Sequence, residues 1–389
     1  MENLKSRILD VAIIGGGPAG TAAAIEAAHA GLQAGIWERD RFPRDKVCGE
    51  FVSFEALPFL DKEIPQAAAH GAVVHYAEFI SSSGLRRRFL LPHPACGLSR
   101  RLLDTELWKA AQAAGVEAHE GARVRRVQKA VRNRSQGSVW ELDVAGGGTR
   151  IARTLIIACG RWWRIDGLAS PTLRGGPESP GDWVGIKAHV AGIQARDAVE
   201  MYFFRGGYCG LAPVEDNACN VCCLVRSELV RECSAKVQED FTSWLAEVSR
   251  LPMLASRLRG ATRISPVAAT APVRPARRSV TQNGALMAGD SSGFLDPFTG
   301  DGISLALHSG MLAAQTAAKF LSGEFKEERA ACVYERQLAR AVRRSYRIAA
   351  VARRLLQGPT WMQCAATAAL PWLGMHLVRE TRWRTLPAG

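Results

Sequence analysis

A chain of 389 residues, 47% hydrophobic and 22% charged, has the make-up of a soluble globular protein and is long enough for two coupled units. Its net charge of +13 points to nucleic acid, an anionic membrane surface, an acidic substrate, or simply a generally basic exterior. Nucleic acid is set aside, because the arginines are spread along the chain and no zinc-finger, RNA-binding or helix-turn-helix signature appears. No apolar run is long enough to span a bilayer, and the short stretch Val11 to Ile14 does not read as a signal peptide. Ten cysteines, with Cys222 and Cys223 adjacent, fit a reducing compartment better than a disulfide framework. The expected location is cytoplasmic, with peripheral membrane contact left open. Cys219-Asn-Val-Cys222 has the spacing of a metal pair, but no second pair accompanies it, so no metal is expected and strand cysteines are.

Asp10 to Ile14 reads as a buried strand, Gly15 to Gly20 as a tight turn and Thr21 to Ala30 as an Ala-rich helix. Gln33 to Trp37 follows as a second strand, closed by Glu38. This is the G-x-G-x-x-G dinucleotide fingerprint with its acidic residue. Gly15 permits the turn, Gly17 lets the backbone approach a pyrophosphate, and Gly20 lets helix and strand pack closely. The helix N-terminus aims free N–H groups at the phosphates, and Glu38 is placed to accept from ribose hydroxyls. Ser99 to Asp104 opens an amphipathic helix reaching Ala114, followed by the strand-like Glu117 to His119. Arg123 to Gln128 and Val139 to Val144 read as a hairpin, and Thr154 to Ala158 as another buried strand. From Trp183 to Arg226 the pattern alternates as in β structure, with a helix near Ala235 to Val248. Ala285 to Ala288 is a short strand that leads to a helix over Ile303 to Leu321, and the tail from Lys326 is helical and Arg-rich.

These pieces resemble the FAD-dependent oxidoreductases of the p-hydroxybenzoate hydroxylase fold, and within them the geranylgeranyl reductase family. The resemblance rests on Gly15-Gly-Gly-Pro-Ala-Gly20 with Glu38, Pro43-Arg-Asp-Lys-Val-Cys-Gly-Glu50, Arg100 and Arg101 with Asp104, and Gly289-Asp290 through Gly302-Ile303. It implies an α/β architecture: a Rossmann-type FAD-binding domain (1–75, 95–175 and 262–325), an inserted β-rich substrate domain (76–94 and 176–261) and a helical C-terminal region (326–389). It also implies FAD contacts at Ala19, Arg39, Lys46, Cys48, Gly49 and Val124. Arg100 or Arg101 would reach the phosphates or ribityl chain. Gly289-Asp290 would hold the ribityl and pyrophosphate side, and Pro297 to Ile303 would lie along the isoalloxazine ring. Gly300 and Gly302 leave room for main chain beside the ring, and the helix beginning there would face the edge that turns negative on reduction. The alternative, a loop whose Asp301 merely caps the helix, leaves the other glycines and Asp290 without a role.

Reactions are less legible than the cofactor. By resemblance, Gly206-Gly-Tyr208-Cys-Gly210-Leu-Ala212-Pro213 stands where the reductases carry Y-x-W-x-F-P, so Gly210 and Ala212 replace two large aromatics. The expected pocket, lined by Gly210, Ala212 and Pro213, is wide enough for a ring-bearing or lipid-linked substrate. The main expectation is C=C reduction by hydride transfer from flavin, with Tyr208 or Cys48 as catalytic groups supplying the proton; Cys48 has packing as its other reading. The first alternative is a monooxygenase acting through a flavin C4a-hydroperoxide, and the second is an FAD electron carrier. A flavin halogenase is set aside, because nothing like W-x-W-x-I-P appears. Ala158-Cys159-Gly160 lacks the Asp that helps hydroxylases position NADPH, so the electrons come from NAD(P)H or from a separate donor protein. Ala341 to Leu355 has apolar residues at 348, 351 and 355 with arginines largely off that face, and the following segment, rich in Trp, Leu and Ala, is read as broken by Pro371. The tail is either an interfacial anchor on an anionic membrane or a surface helix that buries its apolar side.

Overall fold

The computed structural model describes residues 8–133, 137–169, 182–231, 234–356 and 359–381. Strand β1 (Ile8–Ile14) lies at the middle of a sheet, parallel to β2 (Ala34–Glu38) on one side and to Gly148–Ile157 on the other. Glu117–Glu120 extends the sheet beyond β2, and Ala285–Met287 extends it beyond Gly148–Ile157, both in parallel. A parallel sheet must be covered on both faces, which explains why β1 and β2 read as nearly unbroken apolar runs. One cover is helix α1 (Pro18–His29), where Ala22, Ala23, Ala24 and Ala27 are fully buried. The other is the hairpin Val124–Asn133 and Gly137–Val144, which packs Val127, Trp140 and Leu142 under the sheet.

The long helix Gly302–Leu321 crosses α1 closely, and small residues set that distance. A Cβ on Gly310 would stand 2.0 Å from the carbonyl oxygen of Ala19, and one on Gly289 would stand 2.9 Å from the Ala19 methyl. Ala19 is therefore a packing residue of this crossing.

A second, mostly antiparallel sheet runs in the order Thr262–Arg263, Trp183–Ala191, Cys219–Arg226, Gly207–Pro213, Ala198–Phe204, Ala72–Ile80, Arg86–Gly97 and Phe51–Val52. It draws in Ala72 to Val74, Ala95 to Gly97 and Thr262 to Thr270, segments beyond the 76–94 and 176–261 expected of the inserted unit. Strand alternation gives this sheet two unlike faces. Ile186, Ala188, Leu211, Val221 and Cys223 point outward into a core closed by Phe241, Trp244 and Leu254. Lys187, His189, Asn220, Cys222, Tyr208 and Gly210 occupy the opposite register positions and face the first unit. Cys219 and Cys222, three apart on one strand, thus lie on opposite faces and cannot share a metal. Among the described residues no His, Cys, Asp and Glu group is arranged to hold one.

Two further helices follow among the described residues. Glu327–Leu356 docks on the first unit through Tyr334, whose hydroxyl donates to the Met287 carbonyl at 2.7 Å, and through Leu338 and Ala349. Thr360–Thr381 runs back to the strand Arg86–Gly97 and passes through Pro371 without ending, contrary to the sequence reading. A proline removes one backbone bond from a helix of 22 residues that packing on the sheet holds in place. Among the described residues no helix is long and apolar enough to cross a membrane.

Candidate active site

The nucleotide end is built from backbone. Gly15 has φ of 110°, and a Cβ there would lie 2.3 Å from the Ala158 oxygen. A Cβ on Gly20 would fall 1.7 Å from the Gly15 oxygen, so neither position admits another residue. Gly17 faces an open space bounded by the Arg100 guanidinium. Arg100 is fixed there by a two-pronged pair with the buried Asp104, both contacts 2.7 Å. That choice settles which of the two arginines faces the turn. Arg101 points to solvent beside Asp45, 3.7 Å away, because one residue along a helix is a rotation of about 100°.

Glu38 also has partners within the protein. Its carboxylate accepts from the Gly16 N–H at 2.6 Å and the Asp40 N–H at 2.9 Å, and Arg44 pairs with it at 2.7 Å. It ties the turn to the end of β2, so a ribose would have to share it with Arg44, a residue the sequence reading did not single out. Lys46 is held by Asp40 at 2.6 Å, and Arg39 is exposed at the same end. Val124 is 4% exposed and packs in the core beneath the hairpin, which leaves only its backbone to a cofactor.

The ring end is built from side chains out of both units. Glu50, fully buried and in the left-handed region with φ of 55°, accepts the Arg100 N–H at 2.7 Å. The same carboxylate binds Lys187 through Nζ and His189 through Nε2, the latter at 2.6 Å. Asn220 donates to the Cys48 carbonyl at 3.0 Å. Loop 43–50 is thereby tied to the inner face of the second sheet. Burial opposes ionisation of Glu50, but His189 and Lys187 outweigh it and hold its carboxyl below the usual range. Cys48 fares differently: the protein packed round its sulfur pushes the thiol above its ordinary range, with Arg100 and Lys187 only partly offsetting this. It is not an activated thiolate, and its sulfur accepts from the Glu50 N–H. Spacing could not reveal this cluster, since residues 50, 187, 189 and 220 meet only through sheet register.

Asp290 follows Gly289, whose N–H donates to Ser309 Oγ at 2.8 Å. Its carboxylate has no hydrogen-bond partner among the described residues. Burial pushes its pKa up despite Arg161, Arg100 and Arg278 nearby. Arg161, also missed from sequence, reaches across to Thr270 Oγ1 at 3.0 Å and lies 4.5 Å over the Phe294 ring. Gly49 and Gly302 face open space, and Ile303 anchors the start of the long helix in the core. Asp301 precedes that helix without capping its first turn through the side chain. Pro297 is exposed; Gly300, in the left-handed region with φ of 71°, turns the loop against Phe51.

The Pro297 to Gly300 loop carries Phe298 into a box with Phe79, Phe203 and Tyr208. Phe298 crosses Tyr208 edge-on at 6.2 Å and Phe79 edge-on at 5.9 Å. Gly210 and Ala212 lie on the same sheet face as Tyr208; a Cβ on Gly210 would meet the Met201 sulfur at 3.2 Å.

An open cradle of glycines at a helix N-terminus, a fixed arginine and an unpartnered carboxylate is the arrangement FAD fits, and no other large cofactor is suggested by the donor set. The class is that of the FAD-dependent oxidoreductases. The chain belongs to the family described as FAD binding domain, which it matches over residues 8–346. It is 26% identical to a flavin-dependent halogenase, armH1, of Armillaria mellea over 366 residues, 85% of this chain and 68% of that protein. It is 24% identical to a menaquinone reductase of Mycolicibacterium smegmatis over 324 residues, 79% of this chain and 75% of that one. In fold it is similar to the flavin-dependent brominase Bmp2, with a TM-score of 0.77, 19% identity and coverage of 97% and 95% of the two chains. It is likewise similar to a geranylgeranyl bacteriochlorophyll reductase-like protein from Thermoplasma acidophilum, with a TM-score of 0.72, 20% identity and coverage of 97% and 93%. Halogenases among the relatives run against the sequence expectation, which had set that branch aside on a missing motif.

Proposed function

We propose that this FAD-dependent oxidoreductase uses oxygen to oxidise a hydrophobic, ring-bearing small molecule, by monooxygenase-type chemistry that includes halogenation. The observation that carries the reading is the aromatic cluster of Phe79, Phe203, Tyr208 and Phe298 against the ring-side loop, a surface suited to stacking a flat apolar substrate. The halogenase relatives support it. When bound, FAD supplies a two-electron reservoir that passes hydride or reacts with oxygen. The chain's own residues do the rest. Arg100 and the turn from Gly15 to Gly20 would take the phosphates, Asp290 would accept from the ribityl hydroxyls, and the first turn of Gly302–Leu321 would meet negative charge at the ring. Lys187 and His189 hold Glu50 ionised, fix the ring-side loop and keep exchangeable protons at Nζ and Nε2.

The second reading is reduction of a C=C bond or quinone, favoured by the menaquinone reductase relative and by Tyr208 on the pocket face. Against it, Cys48 is no ready proton donor. Electrons come from NAD(P)H or from a separate donor protein. The test supplies the holoprotein with a flavin reductase, NADPH, oxygen, bromide and a panel of phenols, indoles, pyrroles and naphthoquinones. Products that gain one oxygen or exchange hydrogen for bromine sustain the proposal. Products that only gain two hydrogens, with or without oxygen present, overturn it in favour of reduction.

A further inference from the structure

The helix Thr360–Thr381 is polarised the wrong way for a protein in water. Gln363 and Thr367 are buried, 5% and 0% exposed, and Gln363 accepts from Ser82 Oγ at 2.7 Å. Trp361 and Trp372 are 70% and 80% exposed. They are eleven residues apart, which places them within about 20° of one another on the helix and roughly 16 Å apart along it. Ala365, exposed, and Ala368, half-buried, fill the stripe between them, so it carries no polar side chain.

The preceding helix supplies a complementary feature. It buries Ala330, Tyr334, Leu338 and Ala349, and on the opposite side exposes Arg336, Arg340, Arg343 and Arg347 at spacings of four, three and four. Among the described residues these four arginines have no acidic partner, whereas Arg344, off the stripe, pairs with Glu380. Towards the helix end Val351 and Leu355 are 57% and 37% exposed. Two of the three apolar positions of that face thus meet solvent beside the tip that leads to Trp361, while Ile348 is half-buried.

We infer that the C-terminal helix pair docks on an anionic lipid bilayer, with the tryptophan stripe in the interface and the arginine stripe on lipid headgroups. Tryptophan favours the boundary between headgroup and acyl chain, and clustered arginines answer the negative surface. The opposite, buried face of the same helix packs towards the aromatic box. A Cβ on Gly374 would lie 2.9 Å from Phe89, and Phe89 stacks at 5.8 Å on Phe79 of the aromatic box. A lipophilic substrate dissolved in the bilayer would then be separated from the aromatic box by about 10 Å, the width of this one helix.

Flotation of the full-length holoprotein with vesicles tests this, independently of turnover. The expected result is binding to vesicles of phosphatidylcholine with one quarter phosphatidylglycerol, and much weaker binding to phosphatidylcholine alone. Trp361→Ser with Trp372→Ser should weaken binding at least about tenfold. Arg336, Arg340, Arg343 and Arg347 all changed to Gln should remove its dependence on phosphatidylglycerol and on salt. FAD content and circular dichroism of both variants should match the parent, since all the changed side chains are exposed. No flotation with anionic vesicles at low salt overturns the inference. So does a dimer in solution that the tryptophan changes dissolve, without vesicle binding, which would assign the stripe to a second copy of the chain.

Discussion

The two ends of the FAD site are held by different physics. At the phosphate end, Gly15 and Gly20 stand where any Cβ would strike backbone, so close packing of main chain fixes the geometry. At the ring end, an ammonium and an imidazole from one strand of the second sheet hold the buried carboxylate of the loop that ends at Glu50. Those backbone contacts carry no charge and do not respond to pH or salt, although Glu38 with Arg44 and Arg100 with Asp104 brace the turn from beside it. A buried charge cluster responds to both, and losing one member strands the others.

The largest expected effect falls on the ring end. Glu50→Gln leaves Lys187 buried without its carboxylate and should lower stability by about 3–5 kcal/mol, read from chemical denaturation of the apoprotein. Acid should mimic it. The folded-state pKa of Glu50 lies below its ordinary 4.5, so its contribution is present above that value and lost as pH falls through the lowered one. A denaturation midpoint that does not move between pH 6 and pH 3, in the parent relative to Glu50→Gln, would place the cluster's weight elsewhere.

The arginines sharpen the comparison next. Arg100→Ala should weaken FAD about tenfold to a hundredfold, in fluorescence titration of the apoprotein, by removing a charged contact and freeing Asp104. Arg101→Ala should leave both FAD affinity and stability within about 0.5 kcal/mol of the parent. Equal losses for the two would contradict their orientation.

Asp290→Asn separates stability from binding. A carboxylate whose pKa is raised by burial destabilises the apoprotein while ionised, so the amide should hold or raise the apoprotein's melting temperature. FAD affinity should nevertheless fall about tenfold, because a charged acceptor is lost. A drop in both would mean that Asp290 braces the fold. The smallest effect is expected at Gly210→Ala, where the added methyl meets only the flexible Met201 at close range: stability near the parent's, and a substrate profile shifted slightly to slimmer molecules in a product assay.

Legibility in the sequence followed the same division. The turn, α1, β2 and the helix from residue 302 were readable, because glycine spacing and apolar periodicity are local properties. Asp290 was readable from its Gly-Asp setting. Arg44, Arg161, Lys187 and His189 were not, since each acquires its role from a strand register or loop path that brings distant segments together. Nor could periodicity reveal that the tail's tryptophans face outward: an apolar stripe looks the same from either side until its neighbours are known.

The tie between Glu50 and the pair Lys187 and His189 also sets an order of events during synthesis. The phosphate turn and its parallel neighbours are complete once Gly148–Ile157 has emerged, yet Glu50 then has no cation to bury against. It must stay hydrated until the strand Trp183–Ala191 arrives, and the loop that carries Phe298 comes a hundred residues later still. A nascent chain can therefore shape the glycine turn that meets phosphate long before it can enclose the side of the site that holds the ring.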